Sequence, residues 1–294
     1  MMSSNSVLGR RGVGVALVAP ALVVFVLFAF LPFLHSVYLS FFRWNGISSP
    51  VPVGIDNYVR ILTDPGTSVA FLHALVLILF YGGVTTAIGF TLACLMGSAR
   101  IRGMKVFRTL LFLPYVIAPA AVGVVWRWLL SPEGPFNTLL RTVGLGGLAR
   151  PWLGDFDWAL PSVGVIGTWM LYGVVMVLLL AGVQRIPLEL YEAGRLDGAG
   201  PVRLAWAITM PSLRAELAVV LVLTTTTALR NFDLIYVTTR GGPGTSTVVP
   251  SWLVYREAFV AGNVGSAGAM AVILTLVVGI LCAVLLPLAR ERNG

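Results

Sequence analysis

Two clusters of polar side chains interrupt a chain that is otherwise close to hydrocarbon, and their residue types decide what chemistry is open to it. The first is a charged, glycine-punctuated island. In it Glu189, Glu192 and Asp197 alternate with Ala193, Gly194, Gly198 and Ala199, and Ile208 and Pro211 follow. The second is the threonine run 224–227, with Arg230, Asn231, Phe232, Asp233 and Tyr236 beyond it. Neither holds a nucleophile beside a base. His35, His73, Cys94 and Cys282 join no carboxylate at metal-ligand spacing. The only lysine, Lys105, lies between Met104 and Val106, so there is no Walker A loop, which needs Gly-Lys-Ser/Thr to cradle phosphates. The expectation is a protein with no enzyme activity, metal or cofactor of its own, worked by a partner or a gradient.

The elements that position these clusters must cross a membrane. Of the 294 residues 57% are hydrophobic and 11% charged, with a mean hydropathy of +0.91, which is a polytopic membrane composition. Crossing a hydrocarbon core of roughly 30 Å takes about 20 helical residues, because every backbone amide must be bonded within the segment. Six stretches meet this length, near Val13 to Leu34, Phe71 to Met96, Thr109 to Leu130, Pro161 to Val183, Ala215 to Val237 and Ala267 to Leu288. The first follows Arg10 and Arg11 as a signal peptide would, but its apolar core exceeds the roughly 7–15 residues of such a peptide and reads as an uncleaved span. An all-α membrane protein with six transmembrane helices is expected, its 13–294 domain preceded by a short segment, 1–12.

Basic residues fall on alternate connections. One set holds Arg10, Arg11, Arg100, Arg102, Lys105, Arg108, Arg185, Arg195, Arg203, Arg214, Arg290 and Arg292. In the other, Arg43, Arg60, Arg141, Arg150, Arg240 and Arg256 are offset by Asp56, Asp64, Glu133, Asp155, Asp157 and Glu257. The positive-inside rule then places both termini, and the loop 184–212, in the cytoplasm. The net charge of +8 belongs to anionic lipid on that face, not to nucleic acid. Cys94 and Cys282 sit in apolar spans as small hydrophobes, and no disulfide is expected.

Within 184–212, Pro187 suits a first helical position, Glu189 and Glu192 follow in the early turns, and Asp197 with Gly198 ends the helix. A second short helix fits Pro201 to Thr209, with Met210 and Pro211 breaking it. The pair forms a knuckle on the membrane surface, where Ala193 and Gly194 offer a low-relief patch for another backbone. An ordinary amphipathic interfacial loop is the plainer alternative.

These residues resemble the EAA motif of inner-membrane permease subunits of binding-protein-dependent ABC importers. In that motif an acidic-Ala-Ala triplet precedes Asp-Gly-Ala and, later, Ile-x-Leu-Pro. Glu192, Ala193, Asp197, Gly198, Ala199, Ile208 and Pro211 match; Gly194 replaces the second alanine and Met210 the leucine. A further stretch, Asn231 to Tyr236 with Gly241, Gly242 and Pro243, then Thr247 and Tyr255 to Phe259, is similar to carbohydrate-uptake permeases of the maltose-type first subunit. The resemblance implies a type I ABC importer permease fold in a bacterial inner membrane. It also implies a second related permease subunit, two ATPase subunits that bind the ATP, and an extracytoplasmic solute-binding protein. By position, Glu189, Glu192, Ala193, Gly194, Asp197, Gly198, Ala199 and Pro211 inherit the coupling helix that docks in the ATPase. Gly194 in place of alanine is expected to soften that helix by about 1 kcal/mol.

Charges within a bilayer cost about 2.5–3.5 kcal/mol at a helix centre, so Arg230 and Asp233 should face a cavity or each other, three residues apart on one helix. In one reading Thr227, Arg230, Asn231, Phe232, Asp233 and Tyr236 line a wet pathway for a polyhydroxylated solute. In the other they are a satisfied interhelical pair with threonines bonding their own backbone. Gly241, Gly242 and Pro243 belong to an outer loop. The expected function is a permease subunit of an ATP-driven importer for a sugar or related polyol. The alternative is a gradient-driven secondary transporter of a small polar solute, with Arg230 and Asp233 as its coupling pair.

Overall fold

The computed structural model describes residues 17–98 and 103–289. Arg10, Arg11, Arg100, Arg102, Arg290 and Arg292, the segment 1–12 and the start of the first expected span lie outside the described residues. The helices in chain order are α1 (Leu17–Leu39), α2 (Asp56–Thr63), α3 (Pro65–Gly97), α4 (Met104–Val116), α5 (Pro119–Leu129), α6 (Pro135–Thr142) and α7 (Ala159–Val183). They continue with α8 (Leu188–Leu196), α9 (201–212), α10 (Arg214–Leu229), α11 (Asp233–Thr238), α12 (Pro250–Tyr255) and α13 (Val264–Leu285). A two-stranded antiparallel ribbon pairs Phe42 with Pro52 and Arg43 with Val51.

Two compact units divide the chain, 1–63 with 254–273 and 64–253 with 274–294. In the first, Asn57 donates through Nδ2 to the carbonyls of Ser40 (2.8 Å) and Phe42 (2.9 Å), fastening α2 to the turn after α1. None of the most apolar window of α1 is buried, as suits a helix solvated by lipid. In the second unit α7 is central, with Val163, Ile166, Val175, Met176 and Leu179 fully enclosed. Val163 and Ile166 pack among Leu77 and Tyr81 of α3 towards one end, and Val175 and Leu179 among Ala93 of α3, Leu213 just ahead of α10 and Val220 within it towards the other.

Among the described residues five helices are long and apolar enough to cross a membrane, or six if α4 and α5 are counted together as one span. In place of the expected straight segment 109–130 stand two helices that meet at 93°. Pro119 causes the break, since a residue preceding proline is driven out of the helical region. Ala118 and Ile117 both sit at ψ 133°, and Pro119 opens α5 where no backbone donor is needed. A second departure is at α3, which starts ahead of the expected Phe71. Asp64 caps it by accepting from the Thr67 amide at 3.0 Å, with Pro65 as first helical residue.

Candidate functional site

The knuckle consists of α8 and α9 between the ends of α7 and α10. Pro187, expected as the first helical residue, is instead the N-cap of α8, which begins one residue later at Leu188, and Asp197 is the C-cap. Gly198 then takes φ +75°, a left-handed conformation that side chains resist. Its amide donates to the Arg195 carbonyl (3.0 Å) and the Ala199 amide to that of Gly194 (2.9 Å), which together form a Schellman close. The sequence Asp-Gly-Ala is therefore a backbone stop, and the Asp197 side chain is left exposed.

Met210 and Pro211 do not break α9 as expected. Residues Ala205–Thr209 form one wide turn in which the Met210 amide bonds back to Ala205, five residues earlier. That wider turn accommodates the donor missing at Pro211 and its ring, and the helix runs on until Leu213. The two helices are fastened to each other. Tyr191 and Thr209 share a hydroxyl bond of 2.9 Å, and Leu204 and Ile208 close over Gly194, where an added Cβ would lie 2.6 Å from Leu204 Cδ2. The low-relief patch expected at Gly194 is thus taken up by the chain's own second helix. At the base, Arg185 of the α7 end is paired with Glu216 of α10.

Open on the knuckle are the polar or small Glu189, Glu192, Ala193, Arg195, Asp197 and Arg203 and the apolar Leu188, Leu190 and Val202, together with Leu196 and Trp206, which are 89% and 62% exposed. Leu196 and Trp206 are absent from the sequence reading. The signal was present in helical spacing, since Leu196 lies two residues past Gly194 and so on a different face from the one α9 covers.

The second cluster lines a cavity of about 250 Å³ walled by α3, α5, α7, α10 and α11. Thr226, Thr227, Arg230, Asn231, Phe232 and Asp233 contribute from one side, and Tyr81, Pro119, Gly167 and Met170 from the others. Tyr236 does not line it, but its ring lies 5.3 Å from that of Phe232 and 6.0 Å from that of Trp252. The helix is interrupted at 230–232, and Arg230 and Asp233 form no ion pair with each other; among the described residues the pairs are Arg185 with Glu216 and Arg256 with Glu257. The interruption explains this. Arg230 ends α10, where the helix dipole is negative, and Asp233 opens α11, where it is positive, so each charge is compensated by its own helix.

Thr224 and Thr227 donate to the carbonyls of Val220 and Leu223, both at 2.8 Å. Tyr81, which the sequence reading passed over inside an apolar run, is 2% exposed and accepts from Asn231 Nδ2 at 2.9 Å. Its ring fits because Gly167 has no side chain: a Cβ there would coincide with the phenol.

The loop after α11 is held by Thr247, which is fully buried. Its hydroxyl donates to the Gly242 carbonyl (2.8 Å) and meets the Thr239 hydroxyl (2.7 Å). Gly241 has φ +85° and would place a Cβ 2.7 Å from the Trp252 indole nitrogen, and the bond from Gly242 to Pro243 is cis. Gly241→Ala is expected to lower stability by about 1–3 kcal/mol through the forced left-handed backbone and the clash. Thermal unfolding in detergent checks this, with Gly147→Ala, where nothing lies within 4 Å, as the variant that should stay unchanged.

Residues 89–290 match the model of the family described as binding-protein-dependent transport system inner membrane component. A probable ABC transporter permease protein of Bacillus subtilis, YurN, is 36% identical over 88% of this chain and 89% of its own length. The sn-glycerol-3-phosphate transport system permease protein UgpA of Brucella abortus is 34% identical over 89% of each. Among solved structures, a chain of a bacterial ABC transporter involved in the import of alginate superposes with a TM-score of 0.81 at 22% identity, covering 98% of this chain and 99% of that one, and so shares the fold. The chain belongs to the family of inner-membrane permease components of binding-protein-dependent ABC transport systems.

Proposed function

We propose that this chain forms half of the translocation pathway of an ATP-driven importer for a sugar or related polyol. It is paired with a second related permease, driven by two ATPase subunits that bind the ATP, and supplied by a solute-binding protein. Both termini and the loop 184–212 face the cytosol, and the chain itself catalyses no reaction. The observation that carries the reading is the knuckle. Two helices fastened by Tyr191 with Thr209 and by Leu204 over Gly194 can transmit force, and they leave Glu189, Glu192, Asp197, Leu196 and Trp206 free to dock. Turning a 1:99 ratio of two access states into 99:1 takes about 5.5 kcal/mol, which closure of the ATPase pair delivers through such a handle.

The cavity supports a polyhydroxylated solute. Arg230 and Asn231 supply donors, Asp233 supplies acceptors and Phe232 an apolar face, a mixture suited to hydroxyl groups on a carbon ring or chain. The UgpA relative belongs to a transport system for sn-glycerol-3-phosphate, itself a polyol derivative. A gradient-driven carrier using Arg230 and Asp233 as a coupling pair fits less well, because the two charges are not paired and each is compensated by its own helix. Purification in mild detergent tests the proposal: an ATPase and a second permease should accompany the chain, and uptake should survive a protonophore while ATP is maintained. Uptake that collapses with the proton gradient, with no ATPase attached, refutes it.

A further inference from the structure

The connection between α5 and α7 carries a helix built with its apolar side outward. On α6, Phe136, Leu139, Leu140 and Val143 recur at the spacing of one helical stripe, while Asn137 and Arg141 lie on another face. In a soluble domain the apolar stripe would be turned inward. Here Asn137 is the inward residue and is fully buried. Its Nδ2 donates to the carbonyls of Ser131 and Arg150 (3.0 and 2.8 Å), and its Oδ1 accepts from the Trp152 indole at 2.9 Å. Arg141 donates to the Pro132 carbonyl at 3.0 Å. Leu139 and Val143 are left bare, 57% and 58% exposed, while Phe136 is 40% exposed with its ring edge-on to Trp152 at 5.5 Å, and the stripe continues into Leu145 and Leu148, each about half exposed.

The flanks say what covers it. Leu130 to Gly134 are all that separates α6 from the end of α5, and five extended residues span at most about 18 Å, so α6 lies close to the end of that helix. On the other side Phe156 and Trp158, 70% and 43% exposed, lead directly into Ala159, the first residue of α7. The bare stripe therefore adjoins the exposed end of α5 and the first turn of α7, among aromatic residues of the kind that gather at headgroup level. Arg150 does not present a charge there to a protein partner. Its guanidinium lies 4.7 Å from the Trp158 ring centroid and 5.3 Å from that of Trp152.

We propose that α6 with residues 143–148 is an in-plane membrane anchor, its stripe of Phe136, Leu139 and Val143 immersed in the lipid interface beside α5 and α7. The anchor fixes the height of the α5 end, and Pro119 at the other end of α5 lines the cavity. The inference does not depend on which solute is carried or on the coupling role of the knuckle.

The test places the photoreactive residue p-benzoylphenylalanine at Leu139 or Val143 in the full chain, expressed in its native membrane with its partners, and reads adducts by mass. Lipid adducts are expected, several-fold more abundant than at Thr138 on the polar face and comparable to those at Val165, a half-exposed apolar position within the α7 span. An adduct to another protein at Leu139 and Val143 overturns the proposal. So does the absence of adducts there while Val165 reacts, since that places the stripe in water. Because the native side chains at these positions are exposed, the variants keep the Asn137 contacts, and equal membrane abundance verifies it.

Discussion

Gly167→Ala is expected to reduce membrane abundance of the folded protein severely and to abolish uptake by what remains. The glycine lies in α7 between Ile166, which is fully enclosed, and Thr168, which donates to the Phe80 carbonyl at 3.2 Å, so its backbone has nowhere to retreat. One methyl group here falls on the Tyr81 ring. Overpacking of an enclosed site costs about 1–3 kcal/mol even when neighbours can yield. Tyr81 can yield only by withdrawing its hydroxyl from Asn231 and refilling part of the cavity. The double variant Tyr81→Leu with Gly167→Ala removes the clash. It should recover abundance, measured by immunoblot and size-exclusion behaviour, but not wild-type uptake, because Asn231 then lacks its partner. Wild-type abundance and uptake for Gly167→Ala alone would refute the packing argument.

That glycine also marks the limit of what could be read from the chain. Span count, helix order and the limits of α7 follow from length and hydropathy, because burying backbone in lipid leaves few options. The knuckle was legible too, since Pro187 and Gly198 act on local dihedral angles and need no knowledge of the fold. What escaped depends on tertiary approach. Gly167 and Tyr81 are ordinary members of two apolar runs until α3 and α7 meet, and Gly194 looks like an open patch until Leu204 arrives from the next helix.

The other differences were written in the sequence but outweighed. Pro119 was visible, yet a hydropathy window counts apolar residues and does not register a bend of 93°. Arg230 and Asp233 have pairing distance only on an unbroken helix, and the break at 230–232 is not announced by any glycine or proline. The wide turn at Ala205–Thr209 likewise lets Pro211 stay helical against its usual effect.

Glu192→Lys and Asp197→Lys should each abolish uptake at unchanged membrane abundance, and should lower the amount of ATPase recovered with the chain. Both side chains are exposed and form no hydrogen bond or ion pair among the described residues, and at such surface positions substitutions usually shift stability by no more than about 0.5 kcal/mol. For Asp197 the fold has even less reason to object. The Schellman close is made by the amides of Gly198 and Ala199, not by the carboxylate, and a cation at a helix C-terminus complements the dipole. Loss of function therefore cannot be charged to misfolding.

It follows instead from reversing charge at a docking surface, where breaking one buried hydrogen-bonded pair costs about 2–5 kcal/mol, roughly 30-fold to several thousand-fold in affinity. Tyr191→Phe probes the same element from inside. It removes the bond to Thr209 and loosens α8 against α9 while leaving every exposed charge in place. If force passes through the knuckle as a rigid body, ATP hydrolysis by the assembled complex should persist in Tyr191→Phe while uptake per ATP falls. In the two lysine variants docking itself should fail. Normal uptake by both lysine variants at equal abundance would remove the loop 184–212 from the coupling path altogether.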